Sequence, residues 1–266
     1  MSDKPAPLHR GVDTGGTKLL ILDRNNGSEV RHQFATGPSF RPADLLDILA
    51  SLPPADTTGL ALPGLVDATG TVLDCDVLPA FAGWTPPPQF TALNDGEAAL
   101  VSTLPTADPV TMVVGAGTGI VSSLQINGVR LRTLRPFAGE FGHMPLGSLG
   151  RTLDAAASGA TILKQAGLSG DEVCARLRAK DAAIIDIVHT AGEALGLGLA
   201  AIIQIIQPVS IGLYGGVLRY PCYLEAALRT AHRNTDPLLR SQCRIELLPD
   251  PDTAVARGAL QAAIVE

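Results

Sequence analysis

Apolar and polar positions alternate clearly at the start of the chain. His9–Asp13 and Lys18–Asp23 read as strands around the turn Thr14-Gly15-Gly16-Thr17, and Asn25-Asn26-Gly27 leads into a third strand, Glu29–Ala35. The spacing then changes to a helical one. Leu45, Leu46, Ile48 and Leu49 share one stripe, predicting a helix over Arg41–Leu52 that Pro53-Pro54 stops. A short strand, Leu60–Leu62, runs into Pro63-Gly64. The segment holding Trp84, Pro86, Pro87 and Pro88 has too much proline for regular structure. Phe90–Leu93 reads as a strand and Ala98–Leu104 as helix, with Asn94-Asp95-Gly96-Glu97 at the junction.

The opening pattern then returns. Val110–Val114 and Ile120–Ile126 read as strands around a glycine loop, and Asn127-Gly128 turns the second into Val129–Leu131. From about Leu153 the chain is mostly helical until a strand at Val209–Tyr214. A helix at Leu224–His232, a strand at Arg244–Leu248 and a helix at Thr253–Ile264 follow. Two β-meanders, each followed by helices, predict a duplicated α/β architecture around a central cleft. The expected lobes are residues 1–106 and 107–251, divided near Thr106-Ala107-Asp108, with the last helix (about 252–266) returning to the first lobe.

Composition narrows the class. Of 266 residues, 46% are hydrophobic and 17% charged, which excludes a disordered chain. Aromatic residues are only 4%, so the core is built from aliphatic side chains. A net charge of −6 with no basic run argues against nucleic acid as a partner. Ala194–Leu218 carries no charge and is long enough for a membrane span. Gln204, Gln207, Pro208 and then Gly212, Gly215 and Gly216 interrupt it, so we read a buried helix and strand and no membrane partner. The helix Ala182–Gln207 is assigned to the core, with a homodimer interface as its alternative use. Cys75, Cys174, Cys222 and Cys243 form no C-x-x-C pair, and no secretory signal precedes the polar start. They read as reduced thiols in a cytoplasmic protein.

Five segments carry candidate chemistry. Gly11–Lys18 places glycines and hydroxyls in a hairpin turn whose N–H groups suit a phosphate, and Asp13 suits Mg²⁺ held through water. It lacks the Gly-Lys-Ser/Thr of a Walker A loop, and an ordinary glycine hairpin is the alternative. Val113–Ile120 has isoleucine where a dinucleotide fingerprint needs its last glycine, and a strand follows, so a second phosphate hairpin fits better. Asn94-Asp95 stands at a strand-to-helix junction, where the carboxylate either accepts a proton from a hydroxyl or merely caps the helix. Gly139–His143 puts Glu140 near His143, but a zinc site needs more ligands, and the first cysteine afterwards is Cys174. Ile211–Val217 ends a buried strand in Gly215-Gly216, suited to close approach by a flat ligand.

The ordered set resembles the ROK family of sugar kinases and related repressors, in the superfamily of actin, hexokinases and heat-shock chaperone ATPases. The markers are D-T-G-G-T-K at Asp13–Lys18, L-P-G-L-V-D at Leu62–Asp67 and L-N-D-G-E-A-A at Leu93–Ala99. G-A-G-T-G-I at Gly115–Ile120, E-F-G-H at Glu140–His143 and G-G-V at Gly215–Val217 complete it. The resemblance implies a two-lobed actin-like ATPase (ribonuclease H-like) fold. It also implies ATP- and Mg²⁺-dependent phosphorylation of a hexose or N-acetylhexosamine, at O6. On that footing Asp95 is the general base, and Asn94, Glu140, His143 and Asp154 contact the sugar, with Gly64 among the substrate-binding residues. Asp13, Gly15, Gly16, Thr17 and Lys18, together with Gly117, Thr118 and Gly119, hold the nucleotide phosphates, Asp13 through Mg²⁺. Gly215 and Gly216 lie against adenosine.

Three departures bear on the substrate. Met144 to Leu153 contains no cysteine, where many relatives carry a zinc cluster, so no structural zinc is expected. Val77, beside Asp76, stands where relatives often have a sugar-binding asparagine. The stretch from Trp84 to Asn94 is short and proline-rich. A sugar-sensing protein without turnover and a polyphosphate-using kinase are the alternatives. The start leaves little room for the helix-turn-helix of the repressor branch.

Overall fold

In the computed structural model, which describes residues 6–103, 108–131, 139–147 and 151–265, the opening meander forms as its alternation predicts. β1 (His9–Thr14), β2 (Lys18–Asn25) and β3 (Ser28–Ala35) pair antiparallel in sequence. α1 (Pro42–Ser51) starts with proline at its first positions, and the Asp44 carboxylate accepts from the Arg41 N–H and guanidinium across that turn. β4 (Thr57–Leu62) then pairs parallel to β1. A small hairpin of β5 (Leu65–Val66) and β6 (Val72–Asp74) follows. β7 (Phe90–Asn94) pairs parallel to β4 and passes directly into α2 (Asp95–Val101). The sheet order is β3-β2-β1-β4-β7. Since β1, β4 and β7 run the same way, their carboxyl ends bring Asp13, Pro63-Gly64 and Asp95 to one end of the sheet.

The second half repeats this plan. β8 (Val110–Ala116), β9 (Ile120–Ile126) and β10 (Val129–Arg130) form the second meander. α3 (Asp154–Ala157), α4 (Gly159–Ala166), α5 (Gly170–Arg178) and α6 (Ala182–Ile206) precede β11 (Ser210–Tyr214). α7 (Pro221–Asn234), α8 (Pro237–Gln242) and β12 (Arg244–Leu247) complete the unit, in sheet order β10-β9-β8-β11-β12. β11 is parallel to both β8 and β12, so each sheet is a meander extended by two parallel strands. Contacts divide the described chain into residues 6–103, 131 and 253–265 on one side and 108–130, 139–147 and 151–252 on the other.

α6 is the centre of the second unit's core. Asp181 caps it by accepting from the N–H groups of Ala183 and Ile184, and it stops at Gln207 in a left-handed conformation before Pro208. It is long and apolar enough to cross a membrane, and 56% of its most apolar window is buried in the core. Leu195, Leu199 and Ile203 pack there with Ile211 and Leu213 of β11. Gly192 and Gly196 let the α7 backbone come close at Tyr223 and Ala227. Fully buried Tyr223 donates its hydroxyl to Ala157 O at 2.8 Å, which meets the demand a buried phenol makes.

The last helix, α9 (Ala254–Val265), belongs to the first unit. One face of the first sheet buries Val12, Ile21, Leu60 and Leu62 against Leu45 and Leu49 of α1 and against Phe81. α9 covers the other face, where Ala256 and Leu260 meet Leu20 and Leu22. Gly11 and Gly59 leave the space through which the α9 backbone passes, and Gly258 sits against Ala98 of α2.

Some elements differ from the expectation. α7 begins at Pro221, three residues before the expected start, because proline suits a first helical position. α8 and the β5–β6 hairpin were not expected at all. The expected boundary residues Thr106 and Ala107, and Leu104 at the end of the expected helix, lie outside the described residues.

Candidate active site

The turn between β1 and β2 is built to hold a fixed shape. Gly15 N–H donates to Lys18 O at 2.9 Å, and the Thr36 hydroxyl donates to Gly15 O at 2.7 Å. Thr36 N–H donates to Thr17 O at 3.2 Å, so the end of β3 braces the turn. Asp13 closes β1 beside it. Burial strips water from its carboxylate, and the charge of Asp95 opposes ionisation further. Lys18 acts in the other direction, and the balance pushes the Asp13 pKa up to about 7. Behind the turn, the Thr14 hydroxyl is buried with no hydrogen-bond partner among the described residues.

Asp95 is placed by its neighbour. Asn94 caps α2 by accepting from Gly96 N–H at 2.8 Å, and its amide donates to Gly64 O at 2.8 Å. The Asp95 carboxylate accepts from the same Gly96 N–H at 2.7 Å. Capping and a chemical role are therefore not exclusive alternatives here: Asn94 supplies the cap, and Asp95 is the first residue of the helix. Gly64 adopts φ +83°, and a Cβ there would strike Asp74 O. The β5–β6 hairpin returns the chain to Cys75, Asp76 and Val77. Its turn is held by Asp67, which accepts from Thr69 and Thr71 and sits below the usual carboxylate range because of those bonds. Val77 then lies over Gly16, 3.0 Å from where a Cβ would be. The residue standing in the asparagine's place thus packs on the β1–β2 turn.

In the second unit the glycine loop is equally tied. Gly117 N–H donates to Gly119 O at 3.0 Å, while Gly117 O and Thr118 O accept from Gly159 and Ala160 at the start of α4. Asp154 Oδ1 accepts from Ile120 N–H, the residue closing the loop. Burial raises the Asp154 pKa, partly offset by that bond and by His143. Glu140 and His143 pair at 3.0 Å across a short 3-10 turn, with 48% and 67% of their side chains exposed. Gly215, at φ +108°, presses against the Ala116 backbone, which brings the end of β11 beside the glycine loop.

The expected residues therefore gather in two groups. Asp13, Gly15–Lys18, Gly64, Asn94 and Asp95 share one end of the first sheet. Gly117–Gly119, Glu140, His143, Asp154 and Gly215-Gly216 share one end of the second unit. Sequence reasoning missed Thr36, and it marked Val77 without finding its contact with Gly16; both reach the β1–β2 turn from distant segments, which leaves no local signal.

The donor set suits magnesium. Asp13 and Asp95 are hard oxygen ligands, and the charge of Asp95 raises the proton affinity of Asp13, which a divalent cation would relieve. No group of three metal-ligating side chains is assembled among the described residues. Mg²⁺ commonly uses one or two carboxylates with substrate phosphates, which such an arrangement permits.

Known proteins resemble this chain in sequence and in fold. A kanosamine kinase from Amycolatopsis mediterranei (strain S699) is 27% identical, with 79% of this chain and 80% of that protein covered. A ROK family glucokinase from Streptomyces griseus, solved with glucose and AMPPNP, superposes with a TM-score of 0.83 at 20% identity. That match covers 97% of this chain and 100% of the glucokinase. The ROK hexokinase from Thermus thermophilus gives 0.73 at 20% identity, covering 97% and 98%. The shared fold is the α/β actin-like ATPase fold expected from the motifs. The ROK family profile matches residues 92–265, most of the chain, and the protein belongs to the ROK family.

Proposed function

We propose that this protein, a sugar kinase of the ROK family, transfers the γ-phosphoryl group of ATP to O6 of a hexose or N-acetylhexosamine, with Asp95 as general base. The observation that carries the reading is the placement of Asp95. Asn94 fixes it at the carboxyl end of β7, on the same sheet end as Asp13 and the braced turn.

Asp95 takes the proton of the acceptor hydroxyl as its oxygen bonds to the γ-phosphorus. The bond from that phosphorus to the β,γ-bridging oxygen breaks, and ADP leaves with the electron pair. Lys18 and the N–H groups of the turn offset phosphate charge. In the second unit, Gly117–Gly119 serve the phosphates and Gly215-Gly216 the adenosine, while Glu140, His143 and Asn94 recognise sugar hydroxyls. Bound through Asp13, Mg²⁺ supplies charge neutralisation on the phosphate oxygens.

The test is ADP release from Mg-ATP across a panel of hexoses and N-acetylhexosamines, with Asp95→Asn beside wild type. Sugar-dependent release that falls roughly 10²–10⁴-fold in the variant, with sugar affinity retained, supports the reading. Silence in wild type with sugar binding intact by calorimetry overturns it in favour of a sensor or a different phosphoryl donor.

A further inference from the structure

Arg219 stands three residues after Gly216, at the end of the short 3-10 turn that follows β11, and nothing in the proposed chemistry yet uses it. Its side chain is exposed and makes no ion pair among the described residues. It is nevertheless ordered by a specific contact. Nε–H donates to Gly216 O at 3.1 Å, folding the guanidinium back over the glycine. Nη2 lies 3.3 Å from the point where a Gly216 Cβ would be, so the space left by the missing side chain is filled by a planar cation. The neighbourhood is that of the glycine loop. Gly215 presses on Ala116, and Val217 packs beside the Gly159–Gly117 contact.

We propose that Arg219 binds the nucleotide by stacking its guanidinium face on the purine ring, a role that rests on the kinase reading above. Two features favour a ring over a phosphate. Side-on bidentate capture of a phosphate uses Nε with one Nη, and here Nε is committed to Gly216 O, leaving only the end-on Nη pair. The tether also fixes the plane of the group before any ligand arrives, which suits stacking on a flat π-system and reduces the entropy lost on binding. Because one face of the guanidinium covers Gly216, its outer, exposed face is the one offered to such a ring.

The experiment compares wild type, Arg219→Ala and Arg219→Lys. Calorimetry with adenosine, ADP and inorganic tripolyphosphate is combined with KM and kcat for ATP. Arg219→Ala is expected to weaken adenosine and ADP alike by roughly 3- to 30-fold, with the kinetic loss in the nucleotide KM. Tripolyphosphate affinity stays unchanged. Arg219→Lys keeps the charge without the plane and does not restore affinity. Full rescue by lysine, a loss confined to phosphate-bearing ligands, or no loss in either variant overturns the proposal. Wild type that binds ADP but turns over no sugar defeats the kinase reading alone.

Discussion

Asp154 Oδ1 accepts a 2.5 Å hydrogen bond from the backbone N–H of Ile120, which ties the start of α3 to the end of the glycine loop. The carboxylate expected to meet a sugar hydroxyl is engaged in holding that loop. A charged acceptor on a backbone N–H contributes about 1.5–3 kcal/mol. Asp154→Ala is therefore expected to raise the nucleotide KM about tenfold or more, while Asp154→Asn, which keeps an Oδ1 acceptor, retains most of the affinity. Equal losses in both variants, concentrated in the sugar KM, restore the direct sugar contact.

Asp13 makes the apo protein's stability depend on pH. Its folded pKa of about 7 lies above the ordinary 3.8, so the folded state holds a proton that the unfolded chain releases earlier. Stability from this group is full below about pH 4, declines as pH rises towards 7, and stays reduced above it. Thermal melts without divalent cation should thus show a higher Tm at pH 5 than at pH 8. Asp13→Asn removes that share of the slope, and Mg²⁺ at pH 8 compensates in wild type by favouring the ionised form. Identical slopes in wild type and variant would exclude Asp13 as the source.

Thr14 presents the opposite case, a polar atom with no visible benefit. Its hydroxyl is 1% exposed and unpartnered among the described residues, and valine has the same shape. Thr14→Val is expected to stabilise the protein by about 1 kcal/mol, or roughly 2–4 °C in Tm. A destabilised variant would mean that an ordered water satisfies the hydroxyl.

Much of the fold was legible because its signals are local. The meander at His9–Ala35 and its repeat at Val110–Arg130 follow from alternation and Asn-Gly turns, and the order of glycine motifs marked the family. What escaped was either short or non-local. α8 is six residues long, and its Asp236 cap with Pro237 was the only available sign. β5 spans two residues, too few to show a period. At the site, Asn94 and Asp95 could be found together, but not that one caps so that the other is placed. The contact of Val77 with Gly16 and the bond from Asp154 to Ile120 join segments far apart in sequence, and no pattern of residue types encodes them.

α9 gives the first unit a timing constraint. Asp13 and Asp95 are both made long before Ala254, yet the sheet that carries them keeps Leu20 and Leu22 uncovered until α9 is added. On the ribosome, then, the N-terminal half emerges with a bare apolar face, the kind of surface that holdase chaperones recognise. Nascent chains stalled before that helix would present Asp95 and the β1–β2 turn on an unfinished support. Nonsense or frameshift lesions upstream of Ala254 should consequently yield clients of the cell's degradation machinery rather than partly active enzyme.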